Sequence, residues 1–129
     1  KLDKFLKVRN KNSIIFQKLF SNKNWCKIQK QEKNAKSSWY GFNLILTGVL
    51  KNKRNKIIPR LIKNKIEVRP TMTGNFLNNP VKKFLNFKAK GNYRNAKNID
   101  QNGFFVGNYP KDLSKELNYL YKILEKEAI

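Results

Sequence analysis

Ile66-Glu67-Val68-Arg69-Pro70-Thr71-Met72-Thr73-Gly74-Asn75-Phe76-Leu77-Asn78-Asn79 is the stretch around which this chain of 129 residues is organised. Its first four residues alternate, with Ile66 and Val68 on one face and Glu67 and Arg69 on the other, the two-residue period of a half-buried strand. Pro70 should stop the ladder, because proline has no N–H to donate, and the chain must leave the sheet there. The segment from Thr71 to Asn75 is mostly small and polar and carries one glycine, a composition that lets backbone donors come close to something that is not protein. The reading is of a strand that brings a guanidinium, Arg69, and a Gly74-Asn75 loop to one place. The alternative is a strand ending in a surface turn, with Arg69 paired to Glu67 or another surface acid and Gly74-Asn75 only making the turn.

On the N-terminal side, Leu2, Phe5, Leu6, Ile15, Leu19 and Phe20 recur at helical spacing between lysines and arginines, predicting a helix with a basic outer face. Trp25 to Gln31 carries a weak alternating strand signal. Ser38 to Thr47, aromatic and aliphatic and closed by Gly48, is the clearest strand and should be central in its sheet. Asn55 to Asn64 reads as a short helix with Ile58, Leu61 and Ile62 facing inward, in which Pro59 is tolerable only if the helix has barely begun. Asn64 is the better candidate for the left-handed residue that ends that helix.

Beyond Asn79, Pro80 to Phe87 predicts a short turn or helix with three apolar anchors. Tyr93 to Gln101 reads as a helix presenting Tyr93, Ala96 and Ile99, and Gly103 to Pro110 as a buried strand. A last helix runs from Ser114, as N-cap, to Glu127, with Glu116 in its first turn and a face of Leu117, Leu120, Tyr121 and Leu124. The order helix, strand, strand, helix, strand, helix, strand, helix implies an α+β fold with helices covering one face of a mostly antiparallel sheet.

The length fits one domain, and a hydrophobic share of 40% with 12% aromatics is enough to build its core. The formal charge of +21 invites a nucleic-acid reading, since clustered lysine and arginine displace counterions from phosphates. The distribution argues against it. Residues 1–65 hold 18 basic and two acidic side chains, a net of +16, against 11 and six beyond, a net of +5, so charge is densest away from the Ile66 stretch. No basic run is broken by stacking aromatics, and no helix-turn-helix, zinc-finger or RNP-like pattern is present. Abundant Asn and Ile beside Lys are what an AT-rich genome would favour. A small basic nucleic-acid-binding module remains the rival reading, and nucleic acid the less favoured partner.

One cysteine, Cys26, and no histidine exclude an internal disulfide framework, a Cys/His zinc site and a Ser-His or Cys-His pair made by this chain. No metal site is expected. Cys26 beside Trp25 reads as a small core residue. No apolar run approaches the roughly 20 residues needed to span a bilayer, so no membrane partner is expected, and the missing cysteine pairing fits a reducing, cytoplasmic location. Lys1 opens directly inside an amphipathic pattern, which reads as a fragment whose beginning lies elsewhere.

Three pieces in series resemble one family: Ser38-Trp-Tyr-Gly-Phe-Asn; Ile66-Glu-Val-Arg-Pro-Thr-Met-Thr-Gly-Asn-Phe-Leu-Asn-Asn-Pro; and Asn95-Ala-Lys-Asn-Ile-Asp-Gln-Asn-Gly-Phe-Phe-Val-Gly-Asn-Tyr-Pro-Lys-Asp-Leu-Ser. They resemble the C-terminal part of the DegT/DnrJ/StrS family of pyridoxal-phosphate sugar aminotransferases, closest to its NDP-4-keto-6-deoxyhexose 3-dehydratase branch. The opening helix, with Arg9 and Asn12, is similar to the one that leads from that family's large domain into its small one.

The resemblance implies residues 1–24 as a linker helix and 25–129 as the small domain of a fold-type-I enzyme of nucleotide-sugar metabolism, such as lipopolysaccharide biosynthesis. It implies as partners a large cofactor domain and a dimer mate, and as substrates a nucleotide sugar and an amino acid. Pyridoxal phosphate belongs, by the same resemblance, to the full-length enzyme. The family's Schiff-base lysine, replaced by histidine in the dehydratase branch, its pyridine aspartate and its phosphate cup lie in the large domain, so this chain should hold no cofactor and no catalytic residue. The site residues carried over are Arg69, for the carboxylate of the amino donor, Gly74, for close approach of the loop, and Asn75, for a sugar hydroxyl or phosphate. Asn108 and Tyr109 are expected to cap the last helix rather than line the cleft. Lys65 stands where the family pattern usually has glycine, which strains that turn unless Asn64 absorbs it.

Overall fold

The computed structural model describes residues 1–71 and 74–129; Met72 and Thr73 of the central stretch lie outside the described residues. The elements run in the order α1 (Leu2–Phe20), β1 (Cys26–Ile28), β2 (Gly41–Leu46), α2 (Arg54–Lys63), β3 (Arg69–Pro70), α3 (Arg94–Asn102), β4 (Gly103–Gly107) and α4 (Ser114–Ala128), with short 3-10 turns at Gly48–Leu50, Phe76–Asn78 and Pro80–Phe84. The strands form one antiparallel sheet in the order β1-β2-β4-β3, so the Ser38–Thr47 and Gly103–Pro110 stretches supply its two central strands.

Alternation along β2 sets the layer. Phe42, Leu44 and Leu46 are buried, and the register pairs Phe42 with Val106 and Leu44 with Phe104, placing five apolar side chains on one face. Phe16 and Phe20 of α1, Ile57 and Leu61 of α2 and Leu117, Leu120 and Leu124 of α4 close over that face to complete one core. The Phe16 ring stacks on Phe42 at 4.3 Å between centroids. Burying each such ring removes apolar surface worth about 2–3 kcal/mol from water. The opening helix is thus built into the core by its last turns. Cys26 is buried there too, and burial pushes its thiol up to about 12, leaving it an inert packing group.

Several local expectations are corrected. Pro59 sits in the middle of α2, not at its start. The N–H it lacks would have met the Asn55 carbonyl, and both residues are exposed, so water can take that carbonyl instead. The left-handed residue after α2 is Lys65, at φ 61, whereas Asn64 stays at φ −87. Lys65 N–H bonds to the Ile62 carbonyl at 2.9 Å and Ile66 N–H to the Leu61 carbonyl at 3.0 Å, the paired closure that fixes the left-handed position one residue beyond the C-cap.

The Ile66–Arg69 strand is shorter and later than expected. Only Arg69 and Pro70 pair with β4, opposite Phe105 and Phe104. Pro70 therefore lies inside the ladder, which an edge strand permits because an N–H on its open side needs no partner. Ile66 and Val68 still pack against the core while Glu67 and Arg69 stay exposed, so the face assignment holds. None of the large apolar side chains in residues 80–87, from which three anchors were expected, is buried: Val81, Phe84, Leu85 and Phe87 are all exposed, and Phe87 meets Phe76 with ring centroids 6.2 Å apart. Ser114 is the first residue of α4 rather than its cap. Its N–H is taken by the Asp112 carboxylate at 2.8 Å, a bond that holds the Asp112 carboxyl below its usual range.

Candidate functional site

The sheet face opposite the core carries the candidate site. Register puts Asn43, Phe105 and Arg69 in one row across β2, β4 and β3. Arg69 projects into solvent and meets Glu67: its Nε and Nη2 donate at 3.0 and 2.8 Å, both to the single oxygen Oε1. The side chains are 62% and 76% exposed, so this is a surface pair. The hydrogen bond and charge of Glu67 raise the guanidinium above its ordinary value, keeping it a permanent cation. The pair stands over a cavity of about 110 Å³ lined by Tyr40, Glu67, Arg69, Phe105 and Gly107. A Cβ built on Gly107 would meet nothing within 4 Å, so there is open space beside that glycine.

Gly74 and Asn75 lie elsewhere. Gly74 takes φ +58 and donates its N–H to the Thr71 carbonyl at 2.9 Å. A Cβ there would sit 2.0 Å from Asp100 Oδ1, so glycine is required both by the backbone and by the approach of a carboxylate. Asn75 is buried, and its Oδ1 accepts from Leu77 N–H at 3.1 Å, capping the 3-10 turn that comes next. Asp100 also accepts from Asn78 Nδ2 at 2.7 Å through Oδ2, and its backbone carbonyl accepts from Arg54. This loop is therefore fastened to α3, and no cavity found among the described residues shares Arg69 with Gly74 or Asn75. Arg69 realises the Glu67 pairing that its sequence left open, and Asn75 spends its side-chain oxygen on the turn.

Tyr40 is the residue the sequence reading passed over. Trp39 before it is buried with φ 47, an uncommon conformation for a bulky residue, and that backbone leaves the Tyr40 ring exposed at the cavity edge. The Arg9 guanidinium lies 5.5 Å from the ring centroid. A buried amide pair holds this corner. Asn108 Nδ2 donates to the carbonyls of Trp39 at 2.7 Å and Arg9 at 3.1 Å, its Oδ1 accepts from Asn12 Nδ2 at 2.9 Å, and its carbonyl accepts from Arg9 Nε at 3.0 Å. Asn12 Oδ1 in turn accepts from Leu113 N–H at 3.2 Å. Asn12, on α1, therefore holds the residue that precedes α4, while Asn108 and Tyr109, expected to cap that helix, line the groove beside it instead. Beyond Tyr40 a groove of about 550 Å³ runs between α4 and the end of β4, with Arg9, Glu67 and Tyr109 along it.

Pyridoxal phosphate requires a lysine or histidine at its reactive carbon, an acid on its ring nitrogen and a phosphate cup. The chain has no histidine. Its lysines are exposed apart from Lys23, which is half-buried, and Lys23, whose ammonium lies 4.8 Å from the Tyr121 ring centroid, is raised rather than lowered by that side chain, the opposite of what a Schiff-base amine needs. The residues present do not fit an anchor for this cofactor. Among the described residues no group of three or more His, Cys, Asp or Glu could hold a metal, and no helix is long and apolar enough to cross a membrane.

No protein-family model matches the chain. A curated relative, GDP-4-keto-6-deoxy-D-mannose 3-dehydratase of Yersinia pseudotuberculosis, is 42% identical over 127 residues, covering 98% of this chain and 32% of that protein. Among solved structures, the E. coli GDP-4-keto-6-deoxy-D-mannose-3-dehydratase with bound hydrated PLP superposes with a TM-score of 0.86 at 35% identity, over 95% of this chain and 31% of the other. A GDP-4-keto-6-deoxymannose-3-dehydratase with a trapped PLP-glutamate geminal diamine superposes with a TM-score of 0.82 at 35% identity, over 92% and 31%. The chain spans about a third of the length of the curated relatives it matches, their C-terminal part.

Proposed function

We propose, from the premise that the chain belongs to the DegT/DnrJ/StrS family as its small C-terminal domain, that it is the donor-facing domain of a PLP-dependent nucleotide-sugar 3-dehydratase or aminotransferase. The observation that carries this reading is Arg69, a permanent cation exposed over a cavity on the sheet face that no helix of the core covers. A planar guanidinium recognises a carboxylate through two parallel N–H bonds, and the carboxylate in question is that of the amino donor. Glutamate is the donor class, since a similar dehydratase has been trapped with it. Tyr40 walls the cavity beside Arg69 and fixes where that carboxylate sits.

In the same reading the cofactor and the residue that reacts with it are supplied by a larger domain, residues 1–24 lead from that domain into this one, and a second subunit completes the site. Gly74 lets its loop close on Asp100, and Asn75, whose oxygen caps the turn, keeps its amide nitrogen as the donor for the nucleotide sugar. A cytoplasmic location fits a nucleotide-sugar substrate.

The test uses the complete enzyme. Arg69→Ala should raise KM for L-glutamate about tenfold or more, the loss expected of a charged hydrogen-bonding partner. KM for the nucleotide sugar should move far less. Unchanged KM for glutamate in steady-state kinetics would remove Arg69 from donor binding.

A further inference from the structure

We infer that Glu67 is a resident substitute for the donor carboxylate, a competitor built into the chain that lowers the donor affinity of Arg69. This rests on the reading of Arg69 as the donor's binding group. The geometry points to competition rather than support. Glu67 offers one oxygen, Oε1, to both Nε and Nη2 of Arg69. A free carboxylate offers two oxygens to the guanidinium fork and makes the better-matched pair.

The spacing explains the shortfall. Glu67 and Arg69 are two residues apart on the exposed side of an extended segment, so the carboxylate reaches the guanidinium from along its own chain rather than head-on. Both side chains are largely in water, and Glu67 makes no other hydrogen bond among the described residues. Nothing buried is lost when it swings away. The cavity under the pair, with Tyr40 and Phe105 as walls and open space at Gly107, can then receive a donor carboxylate where Glu67 had been. Glu67 also lies along the longer groove beyond Tyr40, which gives the displaced side chain room.

A resident acid of this kind has a consequence for selectivity. A ligand with a single weak contact does not outcompete an intramolecular partner, whereas a donor that engages the fork with two oxygens does. Glu67 therefore sets a threshold that favours ligands able to engage the fork with two oxygens over anions that make a single contact.

The experiment compares Glu67→Gln, Glu67→Asp and Arg69→Ala in the complete enzyme. Removing the competing charge should lower KM for L-glutamate about two- to fivefold, the range set by an exposed ion pair. The kcat at saturating glutamate should not change, because Glu67 is displaced before chemistry. The dissociation constant for glutarate, an unreactive dicarboxylate, measured by calorimetry should fall by the same factor in Glu67→Gln and stay near the parent value in Glu67→Asp. A KM and dissociation constant that are unchanged or raised in Glu67→Gln, while Arg69→Ala still weakens glutamate, would overturn the inference and leave the donor role of Arg69 standing. If Arg69→Ala itself leaves both unchanged, the underlying reading fails.

Discussion

On the inner face of the sheet Phe42, Leu44, Leu46, Phe104 and Val106 lie under three helices and are almost wholly removed from water, whereas the outer face carries Asn43, the half-buried Phe105 and the exposed Arg69 in one row. The same two central strands build both. Their difference teaches where stability and recognition reside in this domain: apolar area closes the inner face, and the outer face is left with a cation, an aromatic wall and glycines that keep space open. Gly41 and Gly107 are opposite each other at the outer end of β2 and β4, and a Cβ on Gly41 would come within 2.6 Å of the Phe105 ring. The glycine lets that ring lie flat across the strand.

Substitutions can break or sharpen this contrast. Phe42→Ala should cost about 3–5 kcal/mol, as large-to-small changes in a filled core do, measured by urea unfolding. Its outer-face counterpart Phe105→Ala should cost about 1–2 kcal/mol, because less of its area is buried. Equal costs would mean that the outer face is a second core. Gly41→Ala should cost about 1–3 kcal/mol by forcing the Phe105 ring off its seat, and the double substitution with Phe105→Ala should recover part of that loss. Simple additivity in that cycle would show that the ring does not depend on the glycine. The smallest effect is expected of Arg69→Ala, whose unfolding midpoint should stay within the scatter of the parent's, since its pair with Glu67 is exposed. A clear loss of stability there would make Arg69 a structural residue.

Much of the inner face was legible from the chain alone. The aromatic run at Ser38–Thr47, the glycine and proline around Phe104 and the periodic leucines of α4 are local signals, each readable within a ten-residue window. The family resemblance likewise rested on contiguous pieces. The outer face was legible only in part. Arg69 could be placed on the exposed side of its segment by alternation, and its pairing with Glu67 was one of two readings. Tyr40 gave no signal, because its prominence comes from the left-handed backbone of Trp39, a bulky residue that rarely takes it. Asn12 and Asn108 were singled out, but their pairing was silent: they lie 96 residues apart, and an asparagine on an amphipathic helix looks no different when it is buried.

The errors in the turns have one cause. At Lys65, Pro59 and Pro70 residue preference pointed one way and the surrounding structure another. A helix closed by two carbonyl bonds imposes the left-handed position on whichever residue stands there, an exposed helix face tolerates a missing N–H, and an edge strand does not need one. Such preferences amount to about 1 kcal/mol at the left-handed position, less than the burial of the core side chains that fix where α2 and β3 lie. The sequence by itself determined the α+β class, the apolar faces of β2 and α4, the family resemblance and the exposure of Arg69, because periodicity and contiguous motifs are properties of the chain; in α2 it placed Ile62 inward, where the structure buries Ile57 and Leu61 and leaves Ile62 exposed. Only the tertiary structure decided that Arg69 stands over a cavity with Tyr40 while Gly74 and Asn75 are drawn away to Asp100, because strand register and long-range hydrogen bonds join residues the chain keeps far apart.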